Sequence, residues 1–157
     1  MPVVLYRVDD RLVHGQVVIG WGRFCDAGFV ALVDDTVAAS DWERELYRMG
    51  VPPEIELCFA SIADAGRLME AWRQDVRKGI VLTADIPTMV ALCEAAPPVG
   101  RVNLGGIHHK PGRTQRLPYI YLTDEEYRIL ESLAARGTEV TAQDLPTTPS
   151  VPLEQLR

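Results

Sequence analysis

The chain of 157 residues lacks several features that mark common protein classes. Its three cysteines are scattered among apolar residues without metal-type spacing, which favours reduced, buried thiols over disulfides. No apolar run approaches the roughly 18 residues of a membrane span, and no signal-peptide pattern precedes the first apolar segment. The net charge of −6 argues against general nucleic-acid binding. We therefore expect a cytoplasmic protein without a nucleic-acid partner.

Nucleotide-binding motifs are missing as well. The segment after the first apolar run has no Gly-x-Gly-x-x-Gly, and no Walker-type Gly-Lys-Ser/Thr occurs anywhere in the chain. Gly20 and Gly22 fall inside a predicted helix and carry little weight. The sequence therefore predicts neither a dinucleotide site nor a bound metal or organic cofactor.

What the chain does have is a regular alternation of apolar runs and helix-start signals. Buried strands are predicted at 3–6, 29–33, 55–60, 80–82, 101–104 and 119–122, with a further strand at 138–141. Helices are predicted to begin near Gly15, Ser40, Ser61, Pro87 and Thr123. This order predicts a single α/β domain over 1–157, with an open, mostly parallel twisted sheet and helices on both faces. The proline-rich tail, 143–157, is predicted to be extended along the surface or partly ordered by docking.

The most informative segment joins the first predicted strand to the first helix. Residues 7–16 read Arg-Val-Asp-Asp-Arg-Leu-Val-His-Gly-Gln. Ligands of open α/β sheets bind at the carboxyl ends of strands, and a helix N-terminus at that place offers free N–H groups to an anion. A histidine beside an arginine in such a position predicts phosphate chemistry.

His14 is the candidate nucleophile of this segment. Neutral imidazole is nucleophilic near pH 7, and histidine can carry a covalent phosphoryl group. Since phosphoryl transfer depends on positioning and charge neutralisation, Arg11 is assigned as the cation. Gly15, which lets the backbone approach a phosphate closely, and Gln16 are assigned to phosphate binding. The alternative is a loop histidine that only hydrogen-bonds a carbonyl.

Two adjacent carboxylates, Asp9 and Asp10, precede this histidine. One of them can orient the imidazole or hold Arg11 by a bidentate pair. Alternatively both are solvated, or one caps the helix. We assign a catalytic role to Asp10 and leave Asp9 undecided.

Two later turns are predicted to wall the same site. Asp34 and Asp35 follow the second strand, although they can also simply terminate it. Gly105 and Gly106 end a later strand, where glycine permits backbone conformations closed to other residues.

A polar, basic loop follows Gly106. His108 and His109 are adjacent and so do not share a direction, and no carboxylate cluster accompanies them, so a zinc site is not expected. With Lys110, Arg113 and Arg116, the loop fits a mobile segment that faces an anionic ligand or a protein partner; a solvated loop is an equal alternative. The two arginines are candidates for steering an acidic partner.

The segment 7–17 closely resembles the signature of the IIB subunits of the mannose/fructose/sorbose family of the bacterial phosphoenolpyruvate-dependent sugar phosphotransferase system. The resemblance covers nearly the whole chain, because segments 33–38, 102–106, 121–126 and 137–140 also match in the expected order. It implies a seven-stranded sheet with one antiparallel strand. It also implies that Nδ1 of His14 accepts a phosphoryl group from a phosphohistidine of a IIA protein, near Arg11.

In the role that the resemblance implies, the phosphoryl group then passes to a sugar held by the membrane subunits IIC and IID, with which the protein can associate peripherally. Two alternatives stay open: a regulatory phosphoprotein in a phosphotransferase system without transport, and a small-molecule-binding α/β domain without phosphoryl transfer. The tail after Gln143 and the loop 108–116 depart from the family pattern. The sugar, a homodimer, and the roles of the tail, His108 and His109 are left undetermined by the sequence.

Overall fold

The structure is a computed structural model that describes residues 2–157. Over these residues the chain forms nine strands: β1 Val3–Asp9, β2 Ala27–Val33, β3 Glu56–Ala60, β4 Lys78–Thr83, β5 Arg101–Gly106, β6 Thr114–Leu117, β7 Ile120–Leu122, β8 Glu139–Ala142 and β9 Val151–Pro152. Its α-helices are α1 Gly22–Phe24, α2 Asp35–Ala38, α3 Asp41–Met49, α4 Ile62–Gln74, α5 Ile86–Ala95 and α6 Asp124–Ala135. A π-helix, Gln16–Trp21, precedes α1, and a 3-10 helix, Leu153–Leu156, ends the chain. Among these residues no helix has the length and apolar character needed to cross a membrane.

Seven of the strands form one sheet in the order β3-β2-β4-β1-β5-β8-β9. Neighbouring strands are parallel except at the last pair, where β9 runs antiparallel to β8. The predicted mostly parallel sheet with one antiparallel strand is confirmed. The predicted strand at 119–122 lies elsewhere, because β7 pairs with β6 in a separate antiparallel hairpin. The seventh strand of the sheet comes instead from the proline-rich tail.

Helices cover both faces of the sheet, as predicted. One face packs against α4, α5 and α6, with Met69, Leu92 and Leu130 among the buried side chains. The other face packs against the π-helix, α1, α2 and α3, and its buried side chains include Val18 and Val37. Burial of this apolar surface on two sides explains why the inner strands are almost continuously hydrophobic.

Most predicted helix starts are confirmed by side-chain caps. Ser40, Ser61 and Thr123 each accept a hydrogen bond from the third residue of the following helix, and Thr123 forms a complete capping box with Glu126. After α6, Gly137 has a φ of +102°, a conformation that glycine adopts without the steric cost of a side chain.

The carboxyl ends of β1 and β5 form the crevice that positions the functional site. From β1 the chain moves to β2 on one side, whereas β4 leads to β5 on the other side of β1. The segment after β1 therefore enters the face of the π-helix, while the segments after β4 and β5 lead to helices on the opposite face. Such a reversal of direction opens a crevice at the strand ends, which is where α/β sheets bind ligands.

The proline-rich tail is docked. Leu153 and Leu156 are buried in the core, and Gln143 binds the carbonyls of Pro146 and Thr148 through its side-chain amide. Pairing of β9 with β8 fixes the rest of the segment at the sheet edge. The tail is thus ordered by contacts with the sheet edge and the core.

Candidate functional site

His14 lies on a tight loop between β1 and the π-helix. The loop begins with a turn in which the Leu12 N–H donates to the Asp9 carbonyl over 2.9 Å. Leu12 itself has a φ of +57°, a sparsely populated conformation that its buried side chain helps to hold. The His14 carbonyl accepts the Val18 N–H and so begins the helical ladder. The predicted helix at this place is a π-helix, a rare form that occurs frequently at functional sites.

Asp9 orients the imidazole ring of His14. Oδ2 of Asp9 lies 2.9 Å from Nε2 of His14. Because an ionised carboxylate can only accept, Nε2 carries a proton, and in the neutral tautomer of the ring Nδ1 is then the unprotonated nitrogen. At the helix start, the Gln16 N–H donates a hydrogen bond of 3.3 Å to Nδ1 of His14. The His14 side chain is 18% exposed, so part of the ring is accessible from solvent.

Three cationic or donor groups converge on the buried carboxylate of Asp9. Arg7 donates to Oδ2 over 3.2 Å, and Arg11 binds both oxygens at 3.2 and 3.3 Å. Burial raises the pKa of Asp9, but hydrogen bonds from His14 and Arg11 and the charge of Arg7 outweigh it, and the pKa falls to about 2. Asp9 is therefore ionised at neutral pH although it has no exposed surface.

Arg7 is the functional residue that sequence reasoning missed. Its side chain is fully buried and donates to Oδ1 of Asn103 over 2.6 Å and to the carbonyls of Gln143 and Asp144, each over 3.0 Å. Its guanidinium carbon lies 5.1 Å from the centre of the Trp21 ring. Burial lowers the pKa of Arg7, although a guanidinium keeps its proton in proteins. The available signal was an arginine inside an apolar strand, two residues before an aspartate and so on the same strand face.

Gly105 makes room for this guanidinium. A Cβ at Gly105 would overlap Cζ of Arg7, so only glycine fits at this point of β5. At Gly106, a Cβ would lie 3.1 Å from Oδ1 of Asp9 and 3.3 Å from Arg11. The structure therefore places both predicted wall glycines against site residues.

Arg11 is the cation that faces solvent. Its side chain is 36% exposed, and besides Asp9 it binds Oε1 of Gln16 over 2.6 Å. The predicted phosphate-binding residues Arg11 and Gln16 are thus brought together beside His14. Gly15 has an ordinary right-handed helical conformation, and a Cβ there would meet open space, so its backbone geometry does not require glycine.

The other predicted site residues lie elsewhere or have other partners. Asp10 accepts two hydrogen bonds from His108. Asp34 caps α2 by accepting the Val37 N–H, and Asp35 accepts the Ile62 N–H at the start of α4. Both follow β2, which β4 separates from β1. Their carboxylates therefore accept N–H groups at the starts of α2 and α4, which accounts for both residues.

The basic loop differs from the mobile, partner-facing segment that we expected. Arg113 binds both oxygens of Glu126 at 3.0 and 2.8 Å and is only 12% exposed. Arg116 donates to the carbonyls of Leu156 and Leu122. Both arginines are thus engaged in contacts within the fold, and the hypothesis that they steer an acidic partner stays a prediction. Within residues 2–157 no cluster of three or more His, Cys, Asp or Glu side chains is suited to hold a metal.

Comparison with known proteins identifies the family. The model of the sorbose-subfamily IIB component of the phosphotransferase system (PTS) matches residues 3–156. The chain belongs to this family. It is 30% identical to the N-acetylgalactosamine-specific phosphotransferase enzyme IIB component 2 of Escherichia coli, with 99% of each chain covered.

Two further relatives extend this result. The PTS system mannose-specific EIIAB component of Escherichia coli is 28% identical, and the match covers 99% of this chain but only 48% of that protein. The crystal structure of the PTS N-acetylgalactosamine-specific IIB component 1 of Escherichia coli superimposes with a TM-score of 0.85 at 28% identity, covering 95% of this chain and 97% of that one. Fold and family membership of this IIB component thus agree, and membership supports a role in sugar phosphotransfer.

Proposed function

We propose that this IIB component is a phosphocarrier whose Nδ1 of His14 accepts a phosphoryl group from a phosphohistidine of a IIA protein or domain. The observation that carries the proposal is the contact between Nε2 of His14 and Asp9, which leaves Nδ1 unprotonated at the mouth of the crevice. The nucleophile needs no separate base, because Nδ1 carries no proton, and the long 3.3 Å hydrogen bond from the Gln16 N–H is all that the incoming phosphorus must displace. Neither a metal nor an organic cofactor enters the reaction.

The transfer forms one bond and breaks one. The lone pair of Nδ1 attacks phosphorus, the Nδ1–P bond forms, and the P–N bond to the donor imidazole breaks in line with it. The His14 ring keeps its proton on Nε2 and so becomes a phosphoimidazolium. Asp9 stabilises that new positive charge across the 2.9 Å contact. The same carboxylate lowers the barrier in both directions, as a carrier requires.

Arg11 and the helix start neutralise the phosphoryl group. The guanidinium of Arg11 is half-exposed and lies against the same carboxylate as His14, so its outer N–H groups can meet the phosphoryl oxygens. The Gln16 N–H adds a donor beside Nδ1. These groups position the phosphoryl group and neutralise its charge, and both effects accelerate phosphoryl transfer.

The phosphoryl group then passes to a sugar bound by the membrane subunits IIC and IID, on whose cytoplasmic side the protein works. Membership in the family supports both partners, and the name of the EIIAB relative supports a IIA donor. The partially exposed His14 suits a donor that is itself a protein, since both rings must approach within a few ångströms.

A phosphorylation assay tests the proposal. The protein is incubated with phosphoenolpyruvate, the general phosphotransferase proteins and a IIA protein, and its mass is measured. We expect one acid-labile phosphoryl group on the peptide that contains His14, absent from His14→Ala and retained by the double variant His108→Ala, His109→Ala. Labelling that survives in His14→Ala contradicts the assignment. Addition of vesicles with IIC and IID and a sugar tests the second transfer.

A further inference from the structure

The structure places a second histidine on the other wall of the crevice. His108 follows β5, and its ring Nδ1 and backbone N–H bind the two carboxylate oxygens of Asp10 at 2.6 and 2.7 Å. Asp10 is the residue between Asp9 and Arg11, so this clamp ties the loop after β5 to the loop that carries His14. Neither the family match nor the relatives assign a role to this contact.

His108 is hydrogen-bonded through its ring, its N–H and its carbonyl, although its side chain is 58% exposed. Its carbonyl accepts a hydrogen bond from Arg113 over 3.0 Å, and Arg113 is itself fixed by Glu126. On the other side, the Asp10 N–H donates to the Gly106 carbonyl over 3.0 Å. Immobilising an exposed side chain costs conformational entropy, so a network of this kind points to a positioning role.

The carboxylate of Asp10 is the group that must be positioned, because it lies near an anionic phosphoryl group on His14. A phosphoryl group on His14 is anionic, and two adjacent carboxylates, Asp9 and Asp10, precede it in the loop. The charge of Asp9 is balanced by Arg7 and Arg11, and His14 donates a hydrogen bond to it. Asp10 has none of these partners, and its carboxylate is oriented by one hydrogen bond from the side chain and one from the backbone of His108. A free Asp10 carboxylate would repel the incoming phosphoryl group or pair with the neighbouring Arg11 that the phosphoryl group needs.

We propose that His108 is a positioning residue that holds the carboxylate of Asp10 away from the phosphoryl group and from Arg11. This inference rests on the proposed function of His14. It assigns to Asp10 no contact with the reacting atoms, in contrast to the catalytic role suggested by the sequence.

The test measures the rate at which the intact protein is phosphorylated on His14 by phosphoramidate, a small donor that needs no protein docking. At low salt His108→Ala is expected to react about tenfold more slowly than wild type, because Asp10 then keeps only the backbone N–H of residue 108 and its poorly screened carboxylate can turn toward Arg11 and the phosphoryl group. The deficit shrinks at high salt. Asp10→Asn, which removes the charge, is expected to restore the rate when combined with His108→Ala. His109→Ala is the matched control, since His109 packs edge-on against Tyr121 and is expected to react like wild type.

A conservative variant separates the hydrogen bond from the imidazole. In His108→Asn the side-chain amide can replace the Nδ1 donor, so its rate is expected to stay near that of wild type. A slow His108→Asn, or a double variant as slow as His108→Ala, overturns the proposal, as does a wild-type rate in His108→Ala. Thermal melting of each variant identifies a folding defect. Failure of wild type to label at His14 contradicts the proposed function instead, so the two failures are distinct.

Discussion

Nε2 of His14 and Oδ2 of Asp9 lie 2.9 Å apart, and this contact fixes which ring nitrogen of the histidine faces the carboxylate. We expect the long-range ¹H–¹⁵N NMR spectrum of the unphosphorylated protein to place the His14 proton on Nε2. In Asp9→Asn the acceptor is weakened, so the tautomers are expected to mix and phosphoryl transfer to slow by about a hundredfold or more. A ring protonated mainly on Nδ1 in the wild type would contradict this orientation.

The lowered pKa of Asp9 predicts a characteristic acid sensitivity. Because the pKa of about 2 in the folded state lies below the value of roughly 3.9 in unfolded chains, ionised Asp9 stabilises the fold above about pH 4. The contribution, on the order of 2 kcal/mol, is lost as the pH falls toward 2. We expect the difference in unfolding free energy between wild type and Asp9→Asn, measured with urea, to be largest near pH 6 and to shrink with acidification. The exposed Glu54→Gln serves as the control and is expected to show no such trend.

Replacement of Arg7 is expected to unfold or strongly destabilise the protein. Arg7→Met leaves the buried Asp9 without its buried partner and removes one donor from each of the carbonyls of Gln143 and Asp144, of which Asp144 keeps the Trp21 N–H, at a cost of roughly 3–5 kcal/mol. Arg7→Lys keeps the charge but not the planar fork, so it is expected to recover part of this stability. Chemical denaturation of both variants measures the effect. Wild-type stability in Arg7→Met would show that the buried network is dispensable.

For Arg11, in contrast to Arg7, we expect a larger effect on the phosphoryl-transfer rate than on stability. Its side chain is 36% exposed but binds the buried Asp9, which keeps Arg7, His14 and the Arg11 backbone N–H as partners, so Arg11→Ala is expected to lower the unfolding free energy by about 1–2 kcal/mol. Its phosphoryl-transfer rate is expected to fall by about a hundredfold, because the cation at the developing charge is lost. Arg11→Lys is expected to be intermediate. Rapid-quench kinetics with phosphorylated IIA provides the measurement, and an unchanged rate in Arg11→Ala would refute the role.

Charge reversal in the loop after β5 tests how much the ion pair between Arg113 and Glu126 stabilises the fold. Arg113→Glu places a carboxylate beside Glu126 and removes the donor to the His108 carbonyl, so we expect a lower melting temperature. Lys110→Glu changes an exposed residue of the same loop and is expected to leave the melting temperature unchanged. If Arg113→Glu melts like wild type, the bidentate pair with Glu126 contributes nothing to the fold.

Much of this protein follows from local sequence. The apolar runs and the caps at Ser40, Ser61 and Thr123 determine the order of strands and helices, because these signals act within a few residues. The spacing of Arg11 and His14 at a strand-to-helix junction is likewise a local signal, and it marks the proposed phosphate-binding segment.

The tertiary structure alone decided how the site is built. Asn103 and Gln143, which lie 96 and 136 positions away in sequence, are the partners of Arg7, and such long-range pairing leaves no local pattern. The choice between Asp9 and Asp10 depended on the direction of each side chain where β1 ends: Asp9 lies on the face of Arg7 and faces His14, while Asp10 reaches across to the loop after β5. In the sequence, two adjacent carboxylates cannot be distinguished by their local pattern. In the folded sheet they have different hydrogen-bond partners, supplied by separate segments of the chain, and so they have different roles.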